Sequence, residues 1–178
     1  MVVLIRQATL LTGWMTLLCG IAYPLLVTGI GTVAFHDQAT GSRLEHQGKV
    51  VGSALIAQPF DGPQWFHPRP SSAGYNGAGS SGSNYGIGHP DFQARLVSNE
   101  PADGFTASAS GLDPHISPES AAGQAARVAE SRRLDPQMVK LLVDQYTERR
   151  TFGVLGEPRV NVLLLNRALE DSDGPPVP

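Results

Sequence analysis

Cysteine is almost absent from this 178-residue chain, and charge is missing from one long stretch of it. The single cysteine, Cys19, lies inside that uncharged stretch. The remainder therefore forms no disulfide and is held by packing and hydrogen bonding. A basic excess is missing too. All 16 Asp and Glu residues, and 12 of the 13 Lys and Arg, lie after residue 36, a formal balance of −4. That balance excludes the basic face a nucleic-acid-binding domain needs. Charged residues make up only 16% of the chain, while Gly (20) and Pro (14) are plentiful, which predicts a loop-rich domain with short elements.

Signatures of catalysis are also lacking. No G-x-S-x-G elbow occurs, and His36, His46, His67, His89 and His115 are too dispersed for a local zinc pattern, with no cysteine outside the uncharged run to join them. Gly77 to Gly82 (GAGSSG) fits the G-x-G-x-x-G template, but that motif works only between an apolar strand and a helix N-terminus. Here WFHPRPSSAGYN precedes it, Gly86, Gly88 and Pro90 follow, and no P-loop Lys is present. Asp113-Pro114-His115 reads better as an Asp turn bonded to its own backbone than as a catalytic pair. No catalytic residue, metal site or directly bound cofactor is predicted.

What is present begins with the run itself. Residues 7–36 (QATLLTGWMTLLCGIAYPLLVTGIGTVAFH) contain no Asp, Glu, Lys or Arg. About 20 apolar residues cross the roughly 30 Å of bilayer hydrocarbon as a helix. A cleaved signal has a shorter apolar stretch and an Ala-x-Ala-like cut, which the Val33-Ala34 region lacks. A lipoprotein reading through Cys19 meets Leu18 where a small residue is wanted, and a buried core helix would carry a polar stripe. The run is read as an uncleaved transmembrane helix over 8–35, following a short cytoplasmic N-terminus over 1–7. Arg6 precedes it and Asp37 follows, so the positive-inside bias places the bulk of the chain outside the cytoplasm.

After a polar connector (36–48), a single extracytoplasmic α+β domain over 49–170, loop-rich and helical toward its C-terminus, is expected. Lys49 to Gln58 has strand character, as does Phe105 to Ser108. Residues 59–90 have no helical or strand period but carry Phe60, Trp65, Phe66, Tyr75 and Tyr85, which predicts an ordered irregular segment pinned by aromatics. Pro90 to Val97 fits a short helix. Ser117-Pro118 and Asp135-Pro136 open two more, and an apolar helix runs from Asn161 to about Leu169. The tail 171–178 is expected to be disordered.

Several long motifs carry a resemblance. FHPRPSSAGYN, SSGSNYG, HPDF, TASASGLDPHISPESAAGQAARVAESR and LGEPRVNVLLLNRAL, with YPLLVTG in the span and QATGS beyond it, closely resemble the KdpC subunits of the bacterial high-affinity potassium-transporting Kdp ATPase. The resemblance covers residues 10 to 170, with a shorter stretch than usual between Arg95 and Thr106. It implies a non-catalytic accessory subunit beside a potassium-selecting KdpA-like subunit, a P-type KdpB-like ATPase and a small KdpF-like subunit in a bacterial cell membrane. ATP and potassium are then handled by the complex. The chain has no DKTGT-type phosphorylation segment of its own. The implied role is to stabilise assembly and raise the ATPase subunit's apparent ATP affinity, or to modulate ion entry at the outer mouth of the potassium-selecting subunit. The alternative is a free-standing anchored binding or scaffold protein. In the span, Gly13 and Gly20, and likewise Thr9 and Thr16, recur at seven-residue spacing near one face, and Tyr23-Pro24 predicts a kink; these six residues are candidates for contact with partner helices. Beyond it, Asn76, Asn84 and Tyr85, and Gly111, Asp113 and His115, are candidate interface residues, with a role in folding as the competing reading.

Overall fold

The computed structural model describes residues 1–46, 48–96 and 102–172. Residues 173–178 of the expected disordered tail 171–178, and residues 97–101 of the short stretch between Arg95 and Thr106, lie outside the described residues, whereas Asp171 and Ser172 are helical. The chain divides into two compact units, Met1–Val51 and Gly52–Pro178.

The first unit is dominated by one continuous helical rod from Val2 to Ala34, 33 residues long with a mean hydropathy of 1.8 and no buried residue. It comprises α1 (Val2–Leu17), a π-helical turn (Leu18–Ala22) and α2 (Tyr23–Ala34). The π turn has an identifiable cause. Pro24 has no N–H, and its ring crowds the carbonyl four residues back. Widening the preceding turn, so that the Tyr23 N–H reaches Leu18 C=O, absorbs the clash without ending the helix. A one-turn helix α3 (His36–Ala39) and a hairpin of β1 (Arg43–His46) and β2 (Lys49–Ser53) follow.

The second unit is α+β, and the short helix expected from Pro90 forms as α4 (Pro90–Leu96), with Val97 outside the described residues. A small antiparallel sheet has the order β3-β5-β4, from β3 (His115–Ile116), β4 (Thr147–Glu148) and β5 (Arg159–Asn161). His115 pairs with Asn161 and Ile116 with Val160, while Thr147 and Glu148 pair with Val160 and Arg159. Helices α6 (Pro118–Arg132), α7 (Pro136–Gln145) and α8 (Val162–Ser172) pack with it. The predicted caps form: the Ser117 hydroxyl accepts the Ser120 N–H, and the Asp135 carboxylate accepts the Gln137 N–H. Ala121, Ala125, Val128 and Ala129 make the buried stripe of α6, and Val139 and Val143 that of α7. Along α8, Leu165 and Leu169 are buried in the same core.

Phe66, wholly buried, is the largest side chain that the long irregular stretch 54–89 places in the core, and Phe60 packs against the same cluster. The Phe66 backbone is held as firmly as its ring. The buried Asn166 side chain of α8 accepts the Phe66 N–H and donates to the Phe66 C=O, both at 2.9 Å. Gln124 of α6 does the same for His67, at 2.8 and 3.1 Å. Arg127 donates to the carbonyls of Pro63 and Trp65, and Arg132 donates to Gln64 while lying 4.3 Å above the Trp65 ring. The segment is thus ordered as expected, with polar side chains from two helices pinning it together with its aromatics.

Two expected strands differ. Lys49 begins a strand that ends at Ser53, because the Ser53 hydroxyl and carbonyl accept the N–H groups of Leu55 and Ile56 and turn the chain. Phe105 closes a one-turn helix α5 (Ala102–Phe105) and is not followed by a strand. The Thr106 and Ala107 carbonyls that a ladder would use accept instead from Arg69.

Replacing Asn166 by Ala strands a buried N–H and a buried C=O, at about 1–3 kcal/mol each. Asn166→Ala is therefore expected to destabilise the second unit by roughly 2–4 kcal/mol, against less than about 1 kcal/mol for Asn76→Ala at an exposed turn. Urea unfolding of the detergent-solubilised chain, followed by Trp65 fluorescence, measures both.

Candidate docking surfaces

Gly111 and Asp113 fall in one loop that leads into His115, the first residue of β3, and the structure shows what shapes it. Ser108 is buried, and its hydroxyl accepts the N–H groups of Gly111 (3.1 Å) and Asp113 (3.3 Å). The loop is laid on the turn at 69–75: Ser108 N–H donates to Pro70 C=O, and the Ser71 hydroxyl donates to Gly111 C=O at 2.7 Å. Gly111 has φ +76°, and a Cβ there would come within 2.9 Å of the Ala73 Cβ, so two independent reasons demand glycine. Asp113 makes the expected turn bond, accepting the His115 N–H at 3.0 Å, and its other oxygen meets Arg69 at 3.1 Å.

The His115 ring, its backbone N–H and the Arg69 guanidinium together hold the Asp113 carboxyl below the ordinary carboxylate range, against the opposing effect of half-burial. The His115 Nδ1 stands 3.7 Å from the carboxylate oxygen that its own backbone N–H bonds. Tyr75 is the converse case. Burial pushes its phenol up from its usual value, and its O–H donates to Arg69 C=O.

The two candidate segments of the second unit meet. A Cβ on Gly111 would lie 3.4 Å from Ser81 C=O, and one on Gly82 would lie 3.6 Å from the Ala109 Cα. The Ser81-Gly82 end of the GAGSSG loop is therefore a neighbour of residues 109–111. Asn84 has a positive φ (+51°), which Asn tolerates, and the exposed Asn76 side chain closes a turn on the Ala78 N–H. Tyr85 belongs to a surface group that sequence reasoning missed. Its ring stacks on His89 at 4.1 Å, its O–H donates to Asp91, and Arg95 lies 5.8 Å from the ring centroid. The spacing 85, 89, 91, 95 lay in view, but only the turn at 86–89 folds it into one patch.

On the apolar rod, Thr9, Gly13 and Thr16 line one shallow groove with Ala8, Thr12, Leu17 and Ile21. Nothing stands within 4 Å of a Cβ placed on Gly13, and Gly20 continues the face, 4.0 Å from a Thr16 methyl. The Thr9 hydroxyl is satisfied by Ile5 C=O. Tyr23 and Pro24 lie outside that groove, beyond the π turn.

A cleft of about 560 Å³, lined in part by Phe60, Asp61, His67, Tyr75, Asp103 and Gln124, was not foreseen from sequence. Its polar groups serve the fold: His67 bonds Gly62 C=O, Asp103 accepts the Ser117 N–H, and Gln124 brackets His67. Among the described residues, no group of three or more His, Cys, Asp or Glu side chains is placed to hold a metal ion.

A family model described as KdpC, the K+-transporting ATPase c chain, matches residues 5–171. The potassium-transporting ATPase KdpC subunit of Rhodospirillum rubrum is 49% identical, across 94% of this chain and 95% of its own length. That of Methylococcus capsulatus is 51% identical, across 87% and 90%. That of Geobacter sulfurreducens is 46% identical, across 93% and 96%.

Because its folded pKa is depressed, Asp113 contributes stability that is complete above the unfolded carboxylate value of about 4 and is lost as pH falls below it. Asp113→Asn is expected to lower the thermal midpoint at neutral pH and to show a shallower acid decline. The gap between the two proteins should therefore close toward about pH 3. A gap that stays constant across the titration would show that the carboxylate's charge is not what holds the loop.

Proposed function

The chain belongs to the KdpC family, is a membrane-anchored accessory subunit of the K+-transporting ATPase rather than its catalytic chain, and on that premise we propose how it works in the complex. Family membership leaves the free-standing scaffold reading without support.

The proposed partners are a KdpA-like potassium-selecting subunit, a KdpB-like P-type ATPase and a small KdpF-like subunit. Residues 1–7 lie in the cytoplasm, 8–35 cross a bacterial cell membrane once, 36–48 connect, and 49–170 lie outside. The observation that carries this reading is the apolar, exposed rod Val2–Ala34, with Arg6 in its second turn, ahead of the uncharged run, and Asp37 after it. Lipid alone gives little apolar drive for helix association, so the groove at Thr9, Gly13 and Thr16, extended by Gly20, serves close packing with partner helices. Tyr23 and Pro24 mark where those neighbours meet the widened turn.

An extracytoplasmic soluble unit has no access to ATP. Its effect on the ATPase subunit's apparent ATP affinity then travels as a coupling free energy through the packed membrane helices. From the same side the unit can shape ion entry at the outer mouth of the potassium-selecting subunit. Asn76, Asn84 and Tyr85, and Gly111, Asp113 and His115 where their loop leads into β3, are its proposed contact positions.

Sidedness is measured with Ser80→Cys, at an exposed position, in a Cys19→Ala background. A membrane-impermeant maleimide is expected to label it in intact cells; labelling only after permeabilisation would place the unit in the cytoplasm and end this reading. Gly13→Leu, which fills the groove, is expected to weaken retention by about 1 kcal/mol, roughly five-fold, when the complex is purified through a tag on another subunit.

A further inference from the structure

The connection between β4 and β5 ends in an apolar tip that the second unit leaves uncovered. Phe152 is 91% exposed, Val154 72% and Leu155 60%. This tip is built, not loose. Thr151 and Leu155 exchange both backbone hydrogen bonds, at 2.9 and 3.0 Å, and the Gly153 N–H donates to Arg150 C=O at 3.0 Å. Below it, ion pairs Arg150–Glu157 (2.6 Å) and Glu148–Arg159 (2.8 Å) clamp the stem.

The backbone at the tip is strained by its own sequence. Phe152 has φ +54° and Gly153 φ +76°, consecutive positive values of the kind tight hairpin turns reserve for Asn, Asp and Gly. A bulky residue at positive φ is a genuine outlier. Such outliers mark functional positions when the surrounding structure holds them in place, and here the hydrogen bonds and ion pairs do so. Burial within the unit offers no compensation, since the Phe152 ring stands in water. A segment that needed only to turn has no use for that side chain.

We propose that this tip is a docking knob: Phe152, flanked by Val154 and Leu155, inserts into an apolar pocket on the extracytoplasmic face of a partner subunit of the transporter. The inference rests on the preceding reading, that the soluble unit is extracytoplasmic and works within the complex. A single aromatic anchor seated in a pocket, with near-neutral contacts around it, is how small protein interfaces concentrate affinity. Exposed Arg149 beside the tip calls for an acidic rim on that pocket. A lipid surface is the poorer occupant. The chain already has its span, and the stem carries Glu148 and Glu157 where an interfacial membrane segment carries basic residues.

The test places the photo-crosslinking residue p-benzoylphenylalanine at position 152 of the full chain within the intact complex in native membranes, with position 80 as control. The expected result is an adduct to a partner subunit from position 152. With the complex intact, adducts only to lipid, adducts only to a second copy, or none, would overturn the knob and leave the wider reading standing. If the unmodified chain does not co-purify with other subunits, the wider reading falls and the knob with it. A second variant separates docking from folding. Phe152→Gly relieves the positive φ, so the chain's own thermal midpoint should not fall, while its loss from the complex under detergent washing should quicken about ten-fold. A lowered midpoint with unchanged retention would make Phe152 a folding residue, and no change in either would deny it a role.

Discussion

The whole molecule is organised by one constraint: a backbone that enters hydrocarbon must satisfy its own hydrogen bonds and bring no charge with it. Residues 7–36 meet it with thirty uncharged positions, and the helix that results is so complete that even Pro24 is absorbed by a π turn and does not break it. Everything else follows from where that helix begins and ends. It divides the ionisable residues between two compartments, it fixes the soluble unit to a surface, and it leaves a long apolar rod without a buried residue. Such a rod is an unfinished structure, and in a subunit of a transporter the natural completion is other helices.

The soluble unit solves a different problem. It has no disulfide, a sheet whose strands are two or three residues long, and a large share of chain in irregular conformation. Such a chain holds its shape only if the loop backbone is satisfied by something other than a ladder. Side chains of α6 and α8 take that part: Asn166 and Gln124 bracket consecutive residues, Phe66 and His67, as a neighbouring strand would, and the arginines of α6 collect the carbonyls just before them. The same logic runs through Ser108, Arg69 and Asp113 in the adjoining loop. Of the glycines of GAGSSG only Gly82 lies against this loop, beside Ala109, while Gly77 and Gly79 stand in open space.

Features governed by local chemistry were legible in the sequence. The uncharged run announced the span, and Ser117-Pro118 and Asp135-Pro136 announced two helices because cap and first-turn preferences act within three residues. Partnerships across long separations were not. Nothing near Asn166 says that it will hold Phe66, a hundred residues earlier. Phe105 to Ser108 looked like a strand because its composition suits one, and only the arrival of Arg69 from elsewhere removes its carbonyls. Gly153 and Gly156 mark the turn between β4 and β5, but the strained Phe152 just before Gly153 shows itself only in the backbone angles. Of the candidate contact residues, Thr9, Gly13 and Thr16 share a groove, and Gly111 and Asp113 share a loop that leads into His115, whereas Asn76 and Asn84 mainly shape turns.

The central claim is that this subunit influences an ATP-driven pump without touching ATP. Photolabelling the complete complex with 8-azido-ATP, in sealed vesicles that expose the ATP-hydrolysing face, tests it most directly. The account predicts ATP-protectable label on another subunit and none on this chain. ATP-protectable label on residues 77–82 of this chain would contradict it.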